Sequence, residues 1–231
     1  MVSNASAMRM APSVPLLIPE VNPGHLALLD HQDFGSGSIV TNPNCATVGL
    51  VLGLKPLNDA FGIRSVQVTT LQAISGAGHP GVASLDILGN ALPLIPGEEE
   101  KLETEPQKIL GSFDGGGIAP AAFAVSAQCN RVPVADGHLL SVSVKLRQSA
   151  SPDEAAEFLS NFRSPVADLA LPSAPENPVE VDREGPRPQP KLDLDRGGGM
   201  TVTIGRIRRC PVFDLRFVAL VHNTERGAAG A

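Results

Sequence analysis

The stretch Asn42-Pro43-Asn44-Cys45-Ala46-Thr47-Val48-Gly49-Leu50-Val51-Leu52-Gly53-Leu54-Lys55-Pro56-Leu57 constrains the fold more than any other part of the chain. Its run from Thr47 to Leu54 is apolar all round, so it reads as a helix buried inside a core rather than laid on a surface. Ile39-Val40-Thr41 reads as a short strand, Asn42-Pro43-Asn44 as a turn, and the helix is expected to stop before Pro56, since proline lacks the N–H and clashes with the preceding turn. Cys45 then falls at the mouth of the helix. Unpaired N–H groups and the positive end of the helix dipole favour a thiolate there, and a thiolate attacks carbonyl carbon. On that ground Cys45 is expected to be a reactive thiol of low pKa, with Cys129 and Cys210 inert. The same position also suits a buried structural cysteine, and the segment alone leaves both readings open.

A chain of 231 residues can bury a sizeable core around such a helix. Trp and Tyr are absent and aromatics total 3%, so that core must be aliphatic. A net charge of −6 without a lysine- or arginine-rich block argues against nucleic acid or an anionic membrane as a partner. The three cysteines are an odd number without zinc-ligand spacing, which points to a reduced, cytoplasmic setting and to no metal site. No apolar run approaches a membrane span, and no basic segment leads into an apolar one.

Along the chain, Val14-Pro15-Leu16-Leu17-Ile18-Pro19 is an apolar piece bracketed by prolines, and His25 to Leu29 suits a short helical turn. Gly35-Ser36-Gly37-Ser38 separates this opening from the cysteine segment, placing a boundary near Gly37. Arg64 to Leu71 alternates and is β-branched, so a strand ends at Gln72. Ser75 to Gly81 is a glycine-rich loop without the strand–GxGxxG–helix context of a dinucleotide site. Glu98 and Lys101 share one face if residues 96–110 are helical, and pattern alone favours a solvated face. Ala122 to Cys129 and Leu139 to Leu146 look like strands, joined by the chemically rich connector Asn130 to His138. Ser151-Pro152-Asp153-Glu154 is a capping box opening a helix to about Phe162. Prolines crowd residues 171–195, predicting an extended connection, and Met200 to Arg208 and Phe213 to Val221 read as two more strands.

Taken together, Asn44-Cys45, Thr70-Leu71-Gln72-Ala73-Ile74-Ser75-Gly76-Ala77-Gly78, Glu98 with Lys101, Asn130-Arg131-Val132-Pro133-Val134 followed by Gly137-His138, and Asn223 with Arg226-Gly227-Ala228-Ala229-Gly230 occur in one order. This ordered set resembles aspartate-semialdehyde dehydrogenase, in the branch found in archaea and fungi, through almost the whole chain. The resemblance implies that Cys45 is the nucleophile, Gln72 orients the substrate and His138 is the acid/base. It further implies that Arg131 grips the substrate carboxylate, that Lys101 with Glu98 lies where phosphate binds, and that Asn223 and Gly227 approach the nicotinamide. Residue chemistry suits those roles: acyl-phosphate reduction needs a soft nucleophile, a proton donor of near-neutral pKa and fixed cations for two anions.

The implied fold is α/β: a mixed, largely antiparallel sheet with helices on one face, like the catalytic and dimerisation domain of glyceraldehyde-3-phosphate dehydrogenase, plus a remnant of a Rossmann domain. Residues 1–37 are assigned to that remnant, 38–222 to the catalytic and dimerisation domain, and 223–231 to the start of a return to the nucleotide-binding domain. The implied activity is NADP-dependent reductive dephosphorylation of aspartyl phosphate to the semialdehyde, a step toward lysine, threonine and methionine, by a homodimer acting on a small molecule and phosphate. Malonyl-CoA reductase of the same family and a non-catalytic dimerisation fragment are the alternatives. Three departures accompany the resemblance. The main NADP-binding half, with its GxxGxxG-like turn, is expected to be absent, so the chain is expected to be incomplete for activity alone. The upstream phosphate-binding arginine and the final helix after Gly230 are expected to be missing. Ala46 stands where a hydroxyl residue is usual.

Overall fold

The computed structural model describes residues 1–229. Gly230 and Ala231, the end of the segment assigned to the return, lie outside the described residues. In chain order the elements are β1 (Val2–Ser3), β2 (Val40–Thr41), α1 (Cys45–Phe61), β3 (Ile63–Gln72), α2 (Ser84–Ile87), α3 (Glu98–Ile109), β4 (Ser112–Phe113), β5 (Ile118–Ala119), β6 (Ala124–Arg131), β7 (His138–Leu146), α4 (Pro152–Ser160), β8 (Val179–Asp182), α5 (Pro190–Asp193), β9 (Val202–Arg209) and β10 (Leu215–Val221). No helix among the described residues is long and apolar enough to cross a membrane.

Six strands form one sheet in the order β6-β3-β7-β10-β9-β8. Its three central pairings, β3–β7, β7–β10 and β10–β9, are antiparallel, and each edge strand is added in parallel. This is the mixed, largely antiparallel α/β sheet expected. Alternation sorts the side chains: on β3, Val66, Val68 and Thr70 are buried while Arg64, Gln67 and Leu71 are exposed. Helices α1, α3 and α4 pack beside one another against the buried face, with Leu50, Leu52, Leu54 and Leu57 of α1 fully covered. Burying each of these leucines contributes about 1.5–3 kcal/mol. The edge strand β6 is guarded from α3, whose Glu103 and Glu99 carboxylates accept the N–H groups of Ala127 and Cys129.

Residues before β2 join the same core. β1 pairs in parallel with β2, Leu16, Ile18 and Leu28 are fully buried, and a 3-10 stretch runs over Pro23–His31. The Lys108 ammonium of α3 holds this segment in place by donating to the carbonyls of Arg9, Ala11 and Val14.

Three local expectations are corrected. α1 does not stop before Pro56 but continues to Phe61, because the buried Leu54, Pro56 and Leu57 anchor the turn and outweigh one missing hydrogen bond. The proline-rich connection is not wholly extended surface: it contributes β8, which pairs with β9 from Val179 to Asp182, and the short α5. α3 is not a solvated helix either, since Glu98, Glu105 and Lys108 are buried together with Leu102 and Ile109. The capping box at Ser151 is present as expected, with Ser151 Oγ accepting the Glu154 N–H and the Glu154 carboxylate accepting the Ser151 N–H.

Candidate active site

Cys45 is the first residue of α1, directly after the N-cap Asn44, whose side-chain oxygen accepts the Ala46 N–H at 2.9 Å. The Asn44 cap is itself held by two carboxylates. Its backbone N–H donates to Glu105 at 2.8 Å, and its Nδ2 donates to both Glu98 oxygens at 3.0 and 2.9 Å. Strand order then brings the remaining groups to the thiol. β3 and β6 run in parallel, so Gln72 and Arg131 stand side by side at their ends. β7 runs antiparallel to β3 and therefore begins, at His138, where β3 finishes. The Nε2 of His138 lies 3.3 Å from Cys45 Sγ, and its Nδ1 accepts the Ala73 N–H at 3.1 Å. Gln72 Nε2 donates to Glu98, and Arg131 Nη1 donates to the Ala73 carbonyl at 2.7 Å.

A cavity of about 380 Å³ opens over this arrangement, lined by Arg9, Cys45, Glu98, Lys101, Asn223 and Gly227, among others. Lys101 Nζ donates to Glu98 at 2.8 Å. Asn223 Oδ1 accepts the Gly137 N–H and its Nδ2 donates to Ser75 Oγ. Gly227 sits so close to the nucleophile that a Cβ there would lie 2.4 Å from Cys45 Cβ. The turn carrying it is anchored by the buried fork of Arg226 on Glu20, two bonds of 2.7 Å. Gln72, Arg131 and His138 do not line the cavity; they lie behind it, roofed by Gly76, whose backbone rests on the Arg131 guanidinium and the His138 ring. All eight residues singled out from the sequence thus gather around one thiol. A larger cavity of about 600 Å³, beside His25, Asn58 and Phe162, contains none of them.

The sequence reading passed over Arg9. An upstream arginine was expected to be missing, yet Arg9 reaches the cavity from the N-terminal segment, pinned by Glu105 at 2.9 Å and by the Asn4 carbonyl at 2.6 Å. Its neighbours Met8 and Met10 give it no motif, and only folding carries it to Lys101.

The resting electrostatics overturn the expected thiolate. Burial, then the Glu98 charge, push the Cys45 thiol up to about 12, outweighing the Ala46 N–H and Arg131. Burial and then Arg131 push the His138 imidazole down to about 4. Around pH 7 both shifts favour a neutral thiol beside a neutral imidazole. Burial would raise Glu98, but donors from Lys101, Asn44 and Gln72 prevail and hold it below the usual carboxylate range. Cys129 is pushed up by burial to about 11. Cys210 moves the other way: burial works against it, but the Phe213 and Val212 N–H groups bring its pKa down.

Comparison with known proteins agrees with the architecture and the ordered motifs. The family described as "Semialdehyde dehydrogenase, dimerisation domain" matches residues 54–226. The aspartate-semialdehyde dehydrogenase of Methanothermobacter thermautotrophicus is 53% identical over 99% of this chain and 67% of its own length. That of Schizosaccharomyces pombe is 50% identical over 100% of this chain and 67% of its own. The crystal structure of the Candida albicans enzyme with NADP superposes with a TM-score of 0.89 at 42% identity, covering 99% of this chain and 67% of that one. The chain thus spans about two thirds of the length of the curated relatives it matches. With half or more of the aligned positions identical to the archaeal and fission-yeast relatives and the fold preserved along its span, this chain belongs to the aspartate-semialdehyde dehydrogenase family.

Proposed function

We propose that this chain carries the thiol chemistry of an NADP-dependent aspartate-semialdehyde dehydrogenase, the reductive dephosphorylation of aspartyl phosphate to aspartate semialdehyde on the route to lysine, threonine and methionine. The observation that carries the reading is Cys45 Sγ at 3.3 Å from His138 Nε2, with the thiol at the wall of a cavity that Arg9 and Lys101 also line. Cys45 attacks the acyl carbon: the Sγ–C bond forms, the C–O bond to phosphate breaks, and phosphate leaves with that electron pair. The thiol proton departs with the phosphate by way of His138. Lys101 and Arg9 stabilise the departing anion, and Glu98 keeps Lys101 and Asn44 aimed at it. Gln72, tied to Glu98, orients the bound acyl group.

Arg131 holds the substrate carboxylate with the part of its fork not committed to Ala73. Access to it requires the glycine-rich loop around Gly76 to lift. A buried carboxylate at Glu98 attracts an ammonium-bearing aspartyl group and disfavours a malonyl group, which has none. The residues present suit the nicotinamide end of NADP, because the lack of a side chain on Gly227 lets its backbone pack directly against Cys45 at the edge of the cavity and Asn223, on the same cavity wall, is fixed by two hydrogen bonds. Asn223 and Gly227 are the residues that would face NADP, which when bound in its reduced form would supply the hydride. On this reading residues 1–37 are a remnant of the nucleotide-binding half, 38–222 form the catalytic and dimerisation half, and 223–231 start the return to the nucleotide-binding half. Two copies associate through the dimerisation domain.

The test is acylation of the purified chain by β-aspartyl phosphate, followed by peptide mass spectrometry. The expected result is a thioester on Cys45 with one phosphate released, lost in Cys45→Ala and slowed in Arg131→Lys. Acylation by malonyl-CoA at an equal or greater rate would turn the assignment to the thioester substrate.

A further inference from the structure

We propose that Glu105 is a positioning residue that gives Cys45 a preference for acyl phosphates over thioesters, by fixing Arg9 in the cavity wall it shares with Lys101. The hold on Arg9 stands on geometry alone, whereas its effect on substrate choice rests on the function proposed above.

Glu105 is buried and both of its oxygens are committed. Oε1 accepts from Arg9 Nη1 at 2.9 Å, and Oε2 accepts the Asn44 N–H at 2.8 Å. One carboxylate therefore ties a guanidinium of the N-terminal segment to the N-cap of the helix that carries the nucleophile. The same helix grips Arg9 a second time, since Lys108, one turn further along α3, donates to the Arg9 carbonyl at 2.8 Å. On its other nitrogen, Arg9 Nη2 donates to the Asn4 carbonyl at 2.6 Å. Arg9 is itself buried, and its Nε is left without a partner. A side chain free to turn would satisfy that donor in water; Arg9 keeps it orphaned because Glu105 and Asn4 fix the other two nitrogens.

Arg9 and Lys101 line one cavity, and two cations so placed repel each other. Each is balanced by a carboxylate of α3: Glu98 accepts from Lys101 at 2.8 Å, and Glu105 accepts from Arg9. Lys101 and Glu105 are four residues apart, so they lie on one face of the helix. Two positive groups are thereby held in place before any anion arrives, and a charge that need not reorganise contributes most as negative charge develops. A departing phosphate collects both. A thiolate leaving from a thioester carries a single charge and no phosphoryl oxygens to receive a guanidinium, so it gains less.

A buried ion pair can also serve only to close the N-terminal segment onto the core. The two roles differ in what they move. Closure alone, or support of the Asn44 cap, acts on Cys45 whatever the leaving group, whereas positioning of Arg9 acts on the phosphate.

The experiment times acylation of Cys45 in the full chain by rapid quench with two donors, β-aspartyl phosphate and the β-methyl thioester of aspartate, in the parental protein, Glu105→Gln and Glu105→Asp. Glutamine can still accept the Asn44 N–H but turns an N–H toward Arg9. Aspartate keeps the charge but is one methylene short of reaching both partners, and it carries the test where the buried amide prevents folding. The ratio of phosphate to thioester rates should fall about 10- to 100-fold in either variant. Arg9→Gln should lower the ratio likewise, and adding Glu105→Gln to it should lower it no further. Calorimetry with inorganic phosphate, which needs no turnover, should show weaker binding in both Glu105 variants. Equal slowing with the two donors, an unchanged phosphate affinity in both variants, or a parental chain that binds no phosphate overturns the proposal. A parental chain that does not acylate, yet binds phosphate in a Glu105-dependent way, would overturn the proposed function while supporting the hold on Arg9.

Discussion

Gly76→Ala puts a single methyl group against the two side chains that the proposed chemistry most needs in place. The added Cβ would lie 2.7 Å from Arg131 Nη1, 2.9 Å from His138 Cε1 and 3.0 Å from His138 Nε2. Non-bonded contacts of this kind settle near 3.5–4.0 Å, so roughly 0.5–1 Å must be found. The side chains cannot supply it. Arg131 Nη1 is held at 2.7 Å by the Ala73 carbonyl, and His138 is wedged between Ala73 N and Cys45 Sγ at 3.1 and 3.3 Å. Gly76 itself is exposed, so its loop yields outward. Folding should then lose only about 1 kcal/mol, which in a chain of this size lowers Tm by about 2–4 °C. Chemistry should lose far more, because the loop that yields begins at Ala73, whose N–H and carbonyl hold His138 and Arg131, and a displacement of such groups near 1 Å costs about 10²-fold. Rapid-quench measurement of Cys45 acylation, alongside a thermal melt, reads both quantities. Gly89→Ala is the control: its φ of +70° imposes backbone strain, but nothing lies within 4 Å of the new methyl, so it should melt lower and acylate normally. Acylation of Gly76→Ala at the parental rate, or an equal slowing in Gly89→Ala, would refute the reasoning.

Two further outcomes follow from buried charge. A thiol is an acid, so raising its pKa suppresses the thiolate up to that value. Iodoacetamide labelling of Cys45 should therefore climb with pH without levelling off below about pH 10, and Glu98→Gln should speed it by removing a repelling charge; a plateau near neutrality would show a stabilised thiolate instead. Glu20→Gln leaves the Arg226 guanidinium, which is 1% exposed, without its counter-charge, and should cost about 3–5 kcal/mol. That loss is read from the denaturant midpoint, and a change below about 1 kcal/mol would mean that water or a shifted backbone solvates Arg226.

The sequence by itself determined whatever depends on neighbours along the chain. The apolar run after Asn44 specified a buried helix with Cys45 at its mouth, alternation specified β3, β7, β9 and β10, and Ser151 with Glu154 specified the start of α4. These are periodicity and capping effects spanning a few residues, and the structure returns them nearly unchanged. The ordered motifs also named eight residues of the site, though not how they meet. Tertiary structure decided the rest. It carried α1 through Pro56, because flanking leucines buried on the sheet outweigh a local preference. It made a strand of Val179–Asp182, because a parallel partner, Val202–Gly205, was available far along the chain. It brought Arg9 to Lys101 and turned Glu98 from a solvated side chain into a buried hub. Above all it reversed the expected ionisation of Cys45. A helix mouth favours thiolate through a local field, but desolvation and the Glu98 charge arrive only with packing, and in a low-dielectric interior they are the larger effects.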